Sequence, residues 1–246
     1  MDFIALVTGV GRRMGLGIEV CRQLAMKGCT VILTARRGAD AEAHAALLRS
    51  ENVLGAVHTL QLDITQTDHI RSAVHWVDRT FGRLDILINN AGISGPYAEQ
   101  TSTADLDWAR QILEVNLWGT WQMCQAFLPL LRRSRRGRIV NVSSGAGSFG
   151  DPRYGLNSGN QINAAYAISK AALNALTVRL ALDERRLGTP VLVNAVCPGW
   201  VATYEGAAQQ GARPVADGAA GIVWAALLPP EGPTGQFFRD GKPMPW

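Results

Sequence analysis

Six short runs rich in Val, Ile and Leu recur along the chain, and a stretch with helical periodicity follows each of them. The apolar runs lack polar alternation, which is typical of strands buried on both faces of a parallel sheet. The predicted strands are 3–8, 30–35, 57–63, 84–90, 137–144 and 191–198, and the predicted helices are about 16–28, 40–50, 67–81, 103–132, 163–187 and 215–227. This alternation predicts an α/β fold, a single doubly wound parallel sheet with right-handed crossovers.

The length of 246 residues suits one such domain, predicted to span 1–246, because the chain has no repeat, low-complexity tract or linker. The net charge of +4 does not favour nucleic acid as a partner, and the arginine run 132–138 is interpreted as a solvated helix end. No apolar run is long enough for a membrane span and no basic leader precedes the first strand, so we expect a cytoplasmic protein with no membrane partner. Four cysteines without a CxxC pair and four scattered histidines predict free thiols and no metal.

A glycine-rich turn joins the first predicted strand to the first predicted helix. Such a turn binds phosphate, because free N–H groups and the helix dipole point at the anion. The spacing G-x-G-x-x-G fails here, since position 14 is methionine, but Gly11, Gly15 and Gly17 form G-x-x-x-G-x-G. We expect Gly15, Leu16 and Gly17 to begin the helix, with the extra residues of the turn bulging outward.

Two arginines, and no acid, end the second predicted strand. An acidic residue there would hold the ribose hydroxyls of NAD. Arg36 and Arg37 instead suit the 2′-phosphate of NADP, which a guanidinium can grip with two hydrogen bonds. Arg12 and Arg13 in the glycine turn add to the same positive pocket. The sequence therefore predicts NADP(H) as the cofactor.

Tyr166 and Lys170 are four residues apart on a predicted helix, so their side chains share a face. A phenol is a weak acid at neutral pH, but an ammonium roughly 5 Å away favours the phenolate by ~3 kcal/mol at an effective dielectric of about 20. The spacing alone is common by chance, and it gains force because a serine-bearing strand precedes it. A hydroxyl from Ser143 or Ser144 at the end of that strand can stabilise a developing oxyanion.

These motifs follow one another in the order typical of the short-chain dehydrogenase/reductase family, which the chain resembles over essentially its whole length. The resemblance implies one Rossmann-type domain. It also implies that Ser144, rather than Ser143, is catalytic together with Tyr166 and Lys170. Asn116, in the motif EVNLWGT, matches the helix asparagine that supports a proton relay through water and the lysine in that family.

The resemblance also implies the remaining cofactor contacts. Either Gly9 or Gly11 takes the place of the family's first glycine, because the turn is two residues longer than usual. In the family, an aspartate after the third strand lies near the adenine, the NNAG stretch lies against the cofactor, and a Pro-Gly turn covers the nicotinamide. With the arginines included, the predicted cofactor-binding residues are Gly9, Gly11, Arg13, Gly15, Leu16, Gly17, Arg36, Arg37, Asp63, Ile64, Asn90, Ala91, Gly92, Tyr166, Lys170, Pro198, Gly199, Val201 and Thr203.

The stretches VILTAR (31–36) and CPGWV (197–201) are similar to the carbonyl-reductase branch of the family, which uses NADPH. We therefore predict an enzyme that reduces a ketone or aldehyde to an alcohol by hydride transfer from NADPH, with a small carbonyl or alcohol compound as its substrate. Two alternatives stay open. One is alcohol oxidation with NADP, and the other is a catalytically idle NADP-binding sensor.

The chain departs from the family between its serine and its tyrosine. Ser144 and Tyr166 are 22 positions apart, farther than in the commonest family pattern. The extra segment, 150–161, is polar and turn-forming, and we expect it to border the substrate mouth. The related branch has longer insertions here that cover an oligomer interface, so a monomer, a dimer and a tetramer all stay open. The segment 204–218 is expected to form a short lid.

Overall fold

The computed structural model describes residues 3–95, 100–159 and 163–246. In these residues eight strands form one sheet with helices on both faces. The strands are β1 (Ile4–Val7), β2 (Thr30–Ala35), β3 (Val57–Gln61), β4 (Ile86–Asn89), β5 (Arg138–Val142), β6 (Leu192–Val196), β7 (Phe237–Arg239) and β8 (Lys242–Pro243). The α-helices are α1 (Leu16–Met26), α2 (Gly38–Ser50), α3 (Thr67–Phe81), α4 (Leu106–Leu113), α5 (Thr120–Arg132), α6 (Ala164–Arg186) and α7 (Val215–Ala226).

The strand order is β3-β2-β1-β4-β5-β6-β7-β8. All neighbouring strands from β3 to β7 run parallel, and β8 alone pairs antiparallel, with β7. The predicted doubly wound parallel sheet is confirmed. The strand order changes direction between β1 and β4, and loops that leave neighbouring strands at such a switch point open a crevice at their carboxyl ends. The glycine turn and the NNAG stretch lie there.

Two apolar layers explain why the strand runs lack polar alternation. Leu33 on β2 packs with Leu24 of α1 in the layer that also contains α2 and α7. Its neighbour Ile32 points to the other face, where it packs in the layer that contains Phe127 of α5 and Leu173 of α6. Successive strand residues face opposite sides of a sheet, so covering both sides requires apolar residues at every position.

The predicted helix 103–132 is not continuous. A π-helical turn, Glu114–Gly119, separates α4 from α5. Gly119 lies close to the β3–α3 connection, because a Cβ on this glycine would meet the Ile64 carbonyl oxygen at 2.9 Å. Apolar periodicity cannot distinguish a wider turn from an α-helical turn, which is why the sequence predicted one helix. Such wide turns are frequent at functional sites.

The carboxyl-terminal part contributes the last two strands, β7 and β8, with three and two residues. Runs this short carry no detectable period of their own, although the end of the chain resembles the family's closing strand. All four cysteines are free and buried. No helix within the described ranges is long and apolar enough to cross a membrane.

Candidate active site

The glycine turn carries the chain from β1 into the first turn of α1. That helix begins at Leu16, and Gly15 is its N-cap residue with an extended backbone. Val10 holds the turn to the sheet, because its N–H donates to the Thr34 carbonyl at 2.8 Å. Residues 11–14 are exposed. The additional length of the turn therefore bulges outward, and the helix N-terminus stays free to face an anion.

Gly9 and Gly11 have different steric environments. Gly9 has φ +74°, and a Cβ there would lie 2.6 Å from the Cα of Ala91, so only glycine fits. A Cβ on Gly11 would find its nearest neighbour at 3.8 Å, the Cβ of Ala35. Gly9 is thus required for the close approach of the turn to the residues after β4, whereas Gly11 is not sterically constrained.

Thr8 is a residue of this crevice that the sequence analysis did not assign. Its Oγ1 accepts hydrogen bonds from the N–H groups of Asn90 and Ala91, both at 3.0 Å. The Asn90 amide in turn donates to the Thr8 carbonyl at 2.8 Å. A Cβ on Gly17 would lie 2.7 Å from Asn90 Nδ2, so α1 packs directly against this amide. The only sequence signal was the position of a threonine between β1 and a glycine.

The arginines after β2 are exposed, but they are not equivalent. Arg37 is paired with Asp40, with Nε and Nη2 donating to the two carboxylate oxygens at 2.8 and 2.9 Å. Arg36 pairs with no carboxylate of the described residues. Arg12 and Arg13 are exposed on the bulged turn. Of the two arginines after β2, Arg37 is therefore already paired with an acid, whereas the guanidinium of Arg36 has no carboxylate partner among the described residues.

Asp63 and Ile64 follow β3. One carboxylate oxygen of Asp63 accepts hydrogen bonds from the N–H and the hydroxyl of Thr65, at 3.0 and 2.8 Å. The aspartate therefore stabilises the turn before α3 and is not the cap of that helix, which follows Gln66. Ile64 is buried in the core beneath the π-helical turn.

Tyr166 and Lys170 lie on one face of α6, near its amino-terminal end. Lys170 Nζ is 5.6 Å from the centroid of the Tyr166 ring. The lysine is buried, and Nζ donates a hydrogen bond to the Val142 carbonyl at 2.8 Å. Burial lowers the pKa of Lys170 from 10.5 to about 8. The structure thus places a lysine with a lowered pKa next to a half-buried tyrosine.

The two serines after β5 have opposite environments. Ser143 is buried, and its hydroxyl donates to Asn174 Oδ1 at 2.6 Å. Ser144 is half-buried, and its Oγ accepts from the Ala146 N–H at 3.2 Å. The hydroxyl proton of Ser144 is therefore available to a ligand, whereas that of Ser143 is used within the core.

Asn116 lies in the π-helical turn and is fully buried. Its Oδ1 accepts a hydrogen bond from the Ile93 N–H at 2.9 Å, and its Nδ2 donates one to the Ile93 carbonyl at 2.8 Å. Nδ2 also donates to Ser169 Oγ at 3.0 Å. A Cβ on Gly92 would lie 3.2 Å from Asn116 Oδ1 and 3.6 Å from Lys170 Nζ. Asn116 therefore joins the segment after β4 to α6, close to the lysine.

Pro198 and Gly199 follow β6 at the same edge of the sheet. Gly199 adopts φ +77°, which reverses the chain immediately after the proline. Val201 forms a bridge with Arg213, so the segment 198–213 is a closed loop. Thr203 is half-buried, and its N–H donates to the Val201 carbonyl at 2.9 Å.

Cys197 connects two of these loops, which the sequence did not reveal. Its buried sulfur accepts hydrogen bonds from the N–H of Gly145 at 3.2 Å and of Gly199 at 3.4 Å. The sulfur of Cys197 thus holds both Gly145, which follows Ser144, and Gly199, in the loop after β6. Its position before a Pro-Gly pair was the only available signal.

The loops that follow β1, β4, β5 and β6 therefore meet at one edge of the sheet. Over residues 3–212 the chain matches the family model described as short chain dehydrogenase. The chain belongs to the short-chain dehydrogenase family.

Curated members of the family align along nearly the whole chain. Carbonyl reductase (NADPH) 3 of Rattus norvegicus is 34% identical, and the alignment covers 99% of this chain and 98% of the relative. (+)-Neomenthol dehydrogenase of Arabidopsis thaliana is 33% identical and covers 95% of each chain. The predicted similarity to the carbonyl-reductase branch of the short-chain dehydrogenases is confirmed.

Solved structures of plant enzymes share the fold of this short-chain dehydrogenase. Salutaridine reductase from Papaver somniferum superposes with a TM-score of 0.79 at 28% identity, covering 96% of this chain and 99% of the other. Menthone neomenthol reductase from Mentha piperita superposes with a TM-score of 0.78 at 27% identity, covering 98% of this chain and 99% of the other.

The segment 150–161 lies between β5 and α6, although its last two residues, Asn160 and Gln161, are outside the described residues.

Proposed function

We propose that this short-chain dehydrogenase reduces a ketone or aldehyde to an alcohol with NADPH. The observation that carries the proposal is the buried Lys170 ammonium beneath the Tyr166 ring, with the half-buried Ser144 at the neighbouring strand end. A proton donor, a cation and a hydroxyl on one side of a crevice are what carbonyl reduction requires. The names of the curated relatives, several of which are NADPH carbonyl reductases, favour the same reaction.

The crevice fits a dinucleotide. The amino-terminal end of α1, which begins after Gly15, is proposed to face the pyrophosphate with its first N–H groups, and Gly92 leaves room beside Lys170 where a Cβ would fill the space. Arg36, exposed and without a carboxylate partner among the described residues, suits the 2′-phosphate that distinguishes NADPH from NADH. When bound, NADPH supplies the hydride. Asn90 and Pro198 are proposed to flank it, together with the other predicted cofactor-binding residues.

Ser144 and Tyr166 are proposed to act on the carbonyl oxygen. The Ser144 hydroxyl donates a hydrogen bond to that oxygen and stabilises the charge that develops as the hydride arrives at carbon. The Tyr166 hydroxyl then gives its proton to the same oxygen, which completes the alcohol. Lys170, whose Nζ is 5.6 Å from the centroid of the Tyr166 ring, favours the phenolate left behind because an opposite charge nearby stabilises the anion.

Asn116 and Lys170 are proposed to return the proton to Tyr166. The lysine is anchored by Val142 and lies beside the backbone that Asn116 holds. With a pKa of about 8, Lys170 can release and regain a proton near neutral pH far more readily than an exposed lysine. Water between these groups and solvent would complete the path.

Alcohol oxidation with NADP is the second candidate. The relatives include proteins named (+)-neomenthol dehydrogenase, and one solved neighbour is named menthone neomenthol reductase, so both directions occur among the names. The same residues serve the reverse reaction, with Tyr166 taking the proton from the alcohol. Direction then follows the ratio of the two cofactor forms.

The test is consumption of NADPH and of NADH with menthone, cyclohexanone, benzaldehyde and 2,3-butanedione, using wild type and Tyr166→Phe. We expect NADPH-dependent turnover that the variant lowers by roughly 10³-fold without losing NADPH affinity, because only the proton donor is removed. Neomenthol with NADP tests the reverse direction. Turnover retained in Tyr166→Phe would contradict the mechanism, and tight NADPH binding without turnover of any compound would favour a sensor.

A further inference from the structure

The turn between β7 and β8 holds two oppositely charged neighbours in fixed positions. Arg239 ends β7 and pairs with Lys242 across the hairpin. Asp240 and Gly241 both have positive φ, 53° and 72°, as in the tight two-residue turn of a β-hairpin. Because β7 runs parallel to β6, this turn lies at the same edge of the sheet as the crevice.

Arg239 reaches the segment 144–159, which begins with Ser144. Its Nη2 donates to Asp151 Oδ2 at 2.6 Å and to Cys197 Sγ at 3.2 Å. The Asp151 carboxylate is 2% exposed. A Cβ on Gly145 would lie 2.4 Å from the carboxylate and 2.5 Å from the guanidinium, so the pair packs against the residue that follows Ser144.

Asp151 in turn organises the middle of the same segment. Its second oxygen accepts hydrogen bonds from the N–H groups of Arg153 and Tyr154, at 2.9 and 3.1 Å. One buried carboxylate therefore links the turn at 151–154 to the strand end through Arg239. The carboxylate is shielded from solvent although the Arg239 side chain is 27% exposed, so salt screens this pair less than a pair exposed on both sides.

Asp240 reaches the other loop, the segment 198–213. Arg213 Nη1 donates to Asp240 Oδ1 at 2.7 Å. The same arginine closes its loop through two backbone hydrogen bonds, with Trp200 at 2.8 Å and Ala202 at 3.0 Å. Its Cδ would be 3.1 Å from a Cβ on Gly199. The two side chains are 30% and 49% exposed, so this pair is weaker and open to screening by salt.

We propose that the β7–β8 turn is a positioning element for the reaction. Arg239 fixes the segment 144–159 (the Ser144 segment) through Asp151. Asp240 holds the segment 198–213 (the Pro198 segment) through Arg213. The inference rests on the proposed carbonyl reduction for its kinetic effect, but the holding of the two segments does not depend on it. The buried pair orients Ser144 towards the carbonyl oxygen. The exposed pair keeps the Pro198 segment closed over the cofactor.

The experiment uses the full chain with Arg239→Met, Arg239→Lys and Asp240→Asn, and with Asp78→Asn as control. Asp78 belongs to an exposed ion pair with Arg133 in the last turn of α3, at the end of that helix opposite to the crevice. Reduction of menthone by NADPH is measured at low and high NaCl, together with NADPH affinity. Hydrogen exchange of 144–159 and 198–213 is followed in the absence of any ligand.

Arg239→Met should lower kcat about tenfold with little change in NADPH affinity, because it acts through Ser144, and Arg239→Lys should restore part of it. Asp240→Asn should raise KM for NADPH a few-fold with kcat nearly unchanged. It should also reduce the increase of KM that NaCl causes in wild type, and the part that remains is the screening of the cofactor's phosphates. Exchange should rise in 144–159 for the first variant and in 198–213 for the second.

Exchange that stays at the wild-type level in both segments, or that rises equally along the chain, would overturn the proposal. Parallel losses of kcat and NADPH affinity in both variants would also overturn it, because the two pairs are proposed to act on different segments. If wild type reduces none of the carbonyl compounds, carbonyl reduction fails, and the segment-specific exchange still decides whether the turn holds the two loops.

Discussion

Lys170 donates its hydrogen bond to the carbonyl of Val142, the last residue of β5, and not to a carboxylate. The ammonium is therefore buried against a neutral acceptor, and its pKa falls to about 8. The cation that the mechanism needs is present below that pH and is lost above it. We expect the reduction rate to fall as pH rises through about 8. A pH–rate profile from 6 to 10 with NADPH in excess checks this. A reduction rate that does not change up to pH 10 would contradict it.

The same burial should reduce the stability of the protein at neutral pH. The folded pKa of Lys170 lies below the unfolded value, so the folded state binds fewer protons between about pH 8 and 10.5, and stability rises with pH across that window. A shift of this size corresponds to a cost of roughly 3 kcal/mol at pH 7. Lys170→Met removes the buried charge, so it should abolish turnover and yet stabilise the protein at pH 7.

Urea unfolding of wild type and Lys170→Met at pH 7 and pH 10 measures this effect. The difference between the two proteins isolates Lys170, because other titrating groups are common to both. The advantage of the variant should shrink at pH 10. A variant that is less stable than wild type at pH 7 would show that the buried ammonium is not a net cost.

Ser143 and Ser144 should separate stability from catalysis. Ser144→Ala removes the hydroxyl available to the carbonyl oxygen, and we expect kcat to fall by about 10²-fold or more. Stability should fall by less than about 1 kcal/mol, because only the 3.2 Å hydrogen bond from the Ala146 N–H is lost. Ser143→Ala leaves Asn174 Oδ1 without its buried donor, which should cost about 1–3 kcal/mol and change kcat little. Both variants are measured by kinetics and by urea unfolding, and each is the control for the other. A large loss of kcat in Ser143→Ala with little loss in Ser144→Ala would assign catalysis to Ser143.

Gly9 and Gly11 offer a second matched pair. Gly9→Ala forces a side chain into a positive-φ position 2.6 Å from Ala91 Cα, and we expect a loss of more than about 2 kcal/mol in unfolding free energy. Gly11→Ala meets nothing closer than 3.8 Å and should change stability by less than about 0.5 kcal/mol. Equal effects in thermal or urea unfolding would contradict this assignment.

Asp40 should limit the affinity for NADPH, because its carboxylate accepts hydrogen bonds from Nε and Nη2 of Arg37. Asp40→Asn keeps the shape and removes the competing charge. We expect NADPH to bind about tenfold more tightly, with NADH affinity unchanged, since only the 2′-phosphate gains a partner. Fluorescence titration with both nucleotides measures this. An equal gain for NADH would show that the effect does not come from the 2′-phosphate.

Much of the scaffold could be predicted because it is encoded locally. The apolar runs mark strands covered on both faces, and the four-residue spacing of Tyr166 and Lys170 places both side chains on one helix face. The predicted helix 103–132 was wrong in its continuity, since a π-helical turn at Glu114–Gly119 separates α4 from α5 and a turn of six residues is too short to show a period of its own. The pairing of Arg37 with Asp40 is also local, three residues apart, and was overlooked.

The sequence by itself determined the parallel α/β sheet, the edge at which the motifs lie, and the residue types available for chemistry, because these follow from short-range periodicity and strand order. Only the tertiary structure decided that Gly9 and not Gly11 is sterically required, that Ser143 is used by Asn174, and that Arg239 meets Asp151. The partners in these contacts are 82, 31 and 88 positions apart. Such contacts form only when strands pair and loops close together, so no local pattern records them.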